Sequence, residues 1–202
     1  MGKFEIGTAE FREVGGHKLF RVFATKSFTA AGGFRVEAGT CGGWVEGYDN
    51  LSQEGTCWVG DNAEVYGNAK VSDDAAVYDN ARVFDDAEVL DNAIVSSRSV
   101  VCGAAVVGNT ARVCGQAWVG DEAVVNGNAY VAGSVTVSGK AIISDDAVVC
   151  DCAQVSDDAE VGGDALVCDE AFVAEKAHVG GDAIISGKMF VTFGVYDKRN
   201  KE

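Results

Sequence analysis

A six-residue period governs most of the chain. From Trp58 the residues fall into sixes: Trp58-Val59-Gly60-Asp61-Asn62-Ala63, then Glu64-Val65-Tyr66-Gly67-Asn68-Ala69, then Lys70-Val71-Ser72-Asp73-Asp74-Ala75. Every sixth residue from Val59 to Val191 is aliphatic, 23 positions in all, each Val except Ile143 and Ile185. Two residues before each of these, from Ala63 to Met189, stands Ala, except at Ser99, Val135 and Met189. No insertion breaks the register, which identifies a solenoid of stacked short units.

Side chains alternate along a strand, so the Ala and Val of each unit face inward and the residue between them faces outward. Pairs such as Asp79-Asn80, Asp85-Asp86, Gly127-Asn128 and Gly163-Asp164 follow each rung. These residue types tolerate positive φ and bond their own backbone, so each pair predicts a corner. Six is even, and the inward phase survives every corner. An antiparallel barrel would need turns of varied length. An amphipathic helix would need apolar spacing near 3.6, and the recurrent Gly and paired Asp would break it. With three rungs per coil the tract makes about 7.7 coils, and at a strand spacing of roughly 4.8 Å it stands about 37 Å tall.

Residues 57–192 hold 7 of the 16 basic and 22 of the 31 acidic residues, so the whole net charge of −15 lies there. Such a surface repels nucleic-acid backbone and anionic membrane, and argues against a groove reader or a lipid-surface binder. No apolar run of about 18 residues exists, and charges interrupt Met1–Phe11 where a signal peptide needs an apolar stretch. A cytoplasmic location is the expectation. The seven cysteines contain no CxxC pair and are odd in number, which favours reduced thiols.

The segment before Cys57 follows other rules. Phe11–Val14 and His17–Phe23 flank Gly15-Gly16, a two-residue hairpin signal. The open end of a β-helix exposes unpaired backbone, and this segment is expected to cap it. The expected organisation is a β cap and entry segment at 1–56, a β-helix at 57–192 and a tail at 193–202.

The Ala-x-Val-Gly-x-x pattern resembles the hexapeptide-repeat superfamily, whose members form a left-handed parallel β-helix with three hexapeptides per coil; left-handedness is implied by this resemblance alone. The segment Glu37-Ala38-Gly39-Thr40-Cys41-Gly42-Gly43-Trp44-Val45, with Asn50-Leu51-Ser52-Gln53-Glu54-Gly55-Thr56-Cys57-Trp58, is similar to the entry segment of the YdcK-like bacterial and phage hexapeptide-repeat proteins. The resemblance implies an all-β fold and a phage or prophage origin. It implies no activity.

Acyltransferases of the superfamily use a histidine base, often between subunits of a trimer. The chain has only His17 and His178. Ala177-His178-Val179-Gly180-Gly181-Asp182 is similar to an Ala-His-x-x-His-Asp segment of such enzymes, with Gly181 in place of the second histidine. His178 is therefore the catalytic candidate, with acyl-coenzyme A the donor the resemblance would imply, against the plainer reading of a solvated outward residue. Cys114, Cys150 and Cys168 share one outward column if three hexads make a coil. A ladder of sulfurs lacks the tetrahedral spacing of a zinc site, so packed thiols and no metal are expected. Turn geometry already accounts for the corner Asp residues, which are read as solvated charge rather than calcium ligands.

The outward residue before each Val on one face runs Trp58, Ala76, Ile94, Arg112, Tyr130, Val148, Leu166, Ile184, and the adjoining column adds Cys150 and Cys168. An apolar stripe on an acidic rod marks an interface. Ile94, Tyr130, Val148, Cys150, Leu166, Cys168 and Ile184 are the predicted contacts of a homo-oligomer, a trimer by the superfamily's habit. The expected function is a rigid, non-catalytic structural or binding protein without a cofactor. The alternatives are an acyltransferase-like enzyme and a phage counter-defence protein that sequesters a nucleotide signal or mimics nucleic acid.

Overall fold

The computed structural model describes residues 2–197; residues 198–202, the end of the expected tail, lie outside the described part. The chain is a parallel β-helix with an antiparallel cap at its N-terminal end. Two-residue rungs such as Trp58–Val59, Glu64–Val65 and Lys70–Val71 stack coil upon coil, Trp58 on Ala76 and Glu64 on Arg82, into three walls of eight parallel strands each. The three walls are called here the Trp58, Glu64 and Lys70 faces, after their first full rungs. Trp58 donates its amide to Ala75 O at 2.9 Å and Gly60 donates to Val77 O at 2.8 Å, and this pair of bonds repeats up to Gly180 N to Tyr196 O at 2.7 Å.

The two inward columns behave as the alternation demands. All 23 Val and Ile positions are buried, as is every Ala of the companion column. Ser99 substitutes for Ala by donating its hydroxyl to Ser96 O at 2.7 Å, which satisfies the one polar group that position would bury. Met189, in the last coil, is the exception at 38% exposed.

The two residues of each corner divide the work. Only the first residue of each pair has positive φ, at every sixth position from Gly55 to Gly187. Those 23 positions carry ten Gly, ten Asp, and Ser97, Asn109 and Glu175. The second residue of the pair donates to the next coil, as Asn62 N does to Asp79 O at 2.8 Å. The positive-φ amide finds no backbone acceptor. A side chain takes it: Ser97 N bonds Asp79 Oδ2 at 2.8 Å, Asn109 N bonds Asp91 Oδ2 at 2.8 Å and Gly187 N bonds Asp169 Oδ2 at 2.8 Å. Each of the ten corner Asp carboxylates accepts the corner amide one coil above in this way. Asp at the corner is therefore an acceptor for an amide that would otherwise lack one, at a φ that Asp tolerates better than most residues.

In the cap, β1 (Phe4–Val14) and β2 (His17–Ala24) pair antiparallel across Gly15-Gly16, both at positive φ, with Val14 opposite His17. A short hairpin of β3 (Phe28–Ala30) and β4 (Phe34–Val36) follows. Then β5 (Cys41–Val45) pairs antiparallel with β2 on one edge and parallel with the Glu64–Val65 rung on the other. This strand converts a hairpin sheet into the solenoid, so the parallel ladder already begins at Trp44, inside the entry segment. Gly42 and Gly43 have to be glycine: a β-carbon would lie 2.6 Å from Val59 O and from Ala63 O respectively.

The rest of the entry segment closes the bottom of the helix. Buried Asn50 donates to Gly67 O at 3.0 Å and Ala69 O at 2.9 Å and accepts Gly47 N at 2.9 Å. Gln53 accepts Lys3 N at 2.6 Å and returns a bond to Phe4 O at 3.1 Å. Lys3, itself buried, donates from Nζ to Glu54 O at 3.0 Å and to Cys57 Sγ at 3.0 Å. The Asn-Leu-Ser-Gln-x-Gly-x-Cys motif is thus a set of plugs for open backbone groups, a structural role that accounts for each polar residue in it. Among the described residues no helix is long and apolar enough to cross a membrane.

Candidate functional site

The outward residues predicted as an interface lie on successive rungs of the Trp58 face. Ile94 stacks on Ala76 and below Arg112; Tyr130, Val148, Leu166 and Ile184 follow in unbroken register. Tyr130 is 41% exposed and Ile184 38% exposed, while Ile94, Val148 and Leu166 are half-buried by their neighbours. The lower end of the stripe is different. Trp58 and Ala76 are outward in phase yet fully buried, because the β3–β4 hairpin lies on them. Phe28 meets Trp58 edge-on at 5.6 Å, Phe34 packs on Tyr78 at 5.0 Å, and Tyr78 donates its hydroxyl to Ala31 O at 3.3 Å. A β-carbon on Gly32 would sit 3.0 Å from Ile94 Cδ1, so the cap ends at that rung. Of the full outward column read from the sequence, the chain covers the first two residues itself and leaves Tyr130 to Ile184 open.

Beside the stripe lie the thiols. Cys114 donates to Tyr130 Oη at 3.3 Å. Cys150 sits 3.4 Å from Asp151 Oδ2. Burial, then the neighbouring carboxylate of Asp151, pushes the Cys150 thiol up to about 12, and burial followed by Asp169 and Asp151 raises that of Cys168. Both thiols stay protonated at neutral pH and are poor nucleophiles.

His178 projects from the Lys70 face, as expected for a residue between inward Ala177 and Val179. It does not stand alone. Glu160, one coil earlier and one rung below, places Oε2 3.0 Å from His178 Nδ1. The pairing was readable from the coil length, since any outward residue meets its neighbours three hexads away. The pair borders an open groove of about 390 Å³ between Ile142, Ser144, Glu160, Gly162, His178 and Gly180. Gly162 and Gly180 leave its floor as bare backbone. At its upper corner the Gly181 amide has Gly163 below it, so among the described residues no side chain accepts that donor as Asp145 accepts Gly163 N at 2.9 Å. The arrangement can hold Nδ1–H on Glu160 and present Nε2 to a ligand in the groove. The one hydroxyl in the groove, Ser144, turns to Asp145 Oδ2 at 3.4 Å. His17, on the cap, is placed similarly against Glu46 at 2.8 Å.

The cap carries the densest cluster of cations. Arg12 and Arg21 sandwich the Trp44 ring at 4.1 and 4.2 Å. Arg12 reaches Glu64 Oε1 at 2.6 Å and Arg82 lies 3.2 Å from Glu64 Oε2. These contacts tie the hairpin to the first two rungs of the Glu64 face and leave the cations committed. No family model matches the chain, and no curated protein matches it.

Proposed function

We propose that the protein is a rigid, non-catalytic binding rod that self-associates, as a trimer, through the upper Trp58 face. The observation that carries this is the stripe from Tyr130 to Ile184: consecutive rungs with Arg112 at their foot, apolar at each of Tyr130, Val148, Leu166 and Ile184, on a wall whose lower rungs are already covered. Apolar patches that a chain leaves open beside patches it covers mark surfaces for a second molecule. The resemblance of the hexad pattern to the hexapeptide-repeat superfamily supports the trimer, and the similarity of the entry segment to YdcK-like proteins supports a phage or prophage origin. The test is mass by light scattering. A Leu166→Glu/Ile184→Glu variant is expected to fall to monomer mass, and an unchanged mass would refute the reading.

One observation favours a second reading. The Glu160–His178 pair beside a groove floored by glycine supports an acyltransferase-like enzyme with His178 Nε2 as base and an acyl-coenzyme A donor. Calorimetric binding of acyl-coenzyme A that is lost in His178→Ala would move the assignment to this reading, and no binding by the native protein would leave the rod.

A further inference from the structure

The sequence segment Val149-Cys150-Asp151 recurs one coil later as Val167-Cys168-Asp169, and on no other pair of neighbouring coils does Cys-Asp stack on Cys-Asp. The fold turns this repeat into a cluster. Donor atoms of Asp151, Cys168 and Asp169 lie within 4.8 Å of one another. The Cys150 sulfur is 3.4 Å from Asp151 Oδ2 and adjoins the thiol of Cys168. Asp151, Cys168 and Asp169 thus meet at one corner of the prism, with the Cys150 sulfur beside Asp151.

We propose that Cys150, Asp151, Cys168 and Asp169 form a binding site for one thiophilic divalent cation, Zn²⁺ or Cd²⁺, in a two-sulfur, two-oxygen shell. A single column of sulfurs has its donors on a line. The carboxylates, which belong to the next residue and lie around the corner, supply donors off that line. Zinc takes sulfur at about 2.3 Å and carboxylate oxygen at about 2.0–2.2 Å, so its donors stand about 3.3–3.8 Å apart.

The carboxylates are already oriented. Asp151 Oδ2 accepts Asp169 N at 3.3 Å and Asp169 Oδ2 accepts Gly187 N at 2.8 Å, which leaves the second oxygen of each available. Hydrogen bonds of this kind fix ligand direction before the metal arrives. Among the described residues neither carboxylate has an ion-pair partner. On binding, each sulfur exchanges its proton for the cation, so one metal releases two protons to solvent. The four donors come from one chain, and the site does not depend on assembly.

The test is a Cd²⁺ titration of the fully reduced protein, read by the thiolate-to-cadmium ultraviolet band and by metal per chain after dialysis. The expected result is one Cd²⁺ per chain, displaced by Zn²⁺. Cys150→Ser/Cys168→Ser abolishes it without loss of fold, because Ser96 and Ser186 already occupy this column. Asp151→Asn retains an oxygen for the Asp169 amide and weakens binding by about 10-fold or more, the usual effect of losing a supporting group. A native protein that binds Cd²⁺ no better than the double serine variant overturns the proposal. So does a band that disappears in Cys41→Ser/Cys152→Ser instead, or a Cys150–Cys168 disulfide that persists in reductant.

Discussion

The lower and upper ends of the Trp58 face are built from one repeating unit and meet opposite surroundings. At the bottom, Trp58 is 0% exposed under Phe28, and Tyr78 lies under Phe34 and Ala31. At the top, Tyr130 and Ile184 occupy the same outward phase with none of the described residues covering them. Phase along the rung fixes which residues point out. Whether pointing out means meeting water depends on what else the chain folds over that wall. In this protein the cap supplies a worked instance of how the wall is covered: aromatic and small residues on an outward column are met by another apolar layer. The open upper rungs present the same kind of surface without its cover.

The comparison is broken most severely at its lower end. Trp58→Ala is expected to cost about 3–5 kcal/mol in urea unfolding, the range for emptying a buried aromatic site, whereas Ile184→Ala in a monomeric background should cost only about 1–2 kcal/mol because that residue is 38% exposed in the single chain. Equal costs at the two ends would mean that the cap does not protect the lower rungs.

Corner residues should show an intermediate effect, independent of face. Asp91 has φ near 58° and accepts the Asn109 amide at 2.8 Å. Asp91→Ala loses that bond and leaves a side chain that tolerates the left-handed region less well than Asp does, for about 2–3 kcal/mol. Asp91→Gly loses the bond but relaxes the φ, for about 1 kcal/mol. Asp91→Asn keeps both and should unfold at nearly the native urea midpoint. A glycine variant less stable than the alanine variant would show that the backbone angle is not what limits this position.

The smallest effect is one of pH. Burial, with Asp61 second, holds the Tyr78 hydroxyl above its ordinary value of about 10. A folded-state value above the unfolded one means that stability is complete below about pH 10 and declines as the pH rises beyond it. Partial exposure limits the loss to about 1 kcal/mol near pH 11. Tyr78→Phe should flatten that alkaline decline in unfolding midpoints measured at about pH 9 and about pH 11. An unchanged slope would mean that the cap does not enclose the tyrosine.

The solenoid was legible because its core is written 23 times at one spacing, and the Gly15-Gly16 hairpin because that turn demands positive φ at both residues. Which corner residue takes the positive φ has a signal in the sequence, since all ten corner Gly stand first in their pairs and none second, but Asp occupies both positions and masks it. The Glu160–His178 pair was within reach once residues one coil apart were compared, but not from either hexad alone. The Cys-Asp cluster was not legible for a related reason: the sulfurs occupy one column and the carboxylates another, and only the corner geometry joins them. The covering of Trp58 and Ala76 had no local signal. Phe28 and Phe34 lie in a short hairpin whose docking is set by tertiary contact, and no period in the sequence points to its wall.

Hydroxyl-radical footprinting of the native protein tests most directly whether the upper face is occupied. Within a single chain Tyr130 is 41% exposed and Tyr48, on the cap away from the stripe, is 57% exposed, so an isolated chain would oxidise both. The account predicts that Tyr48 is modified while Tyr130, Leu166 and Ile184 are protected, and that Leu166→Glu/Ile184→Glu restores oxidation of Tyr130. Modification of Tyr130 in the native protein at a rate comparable to Tyr48 would contradict it.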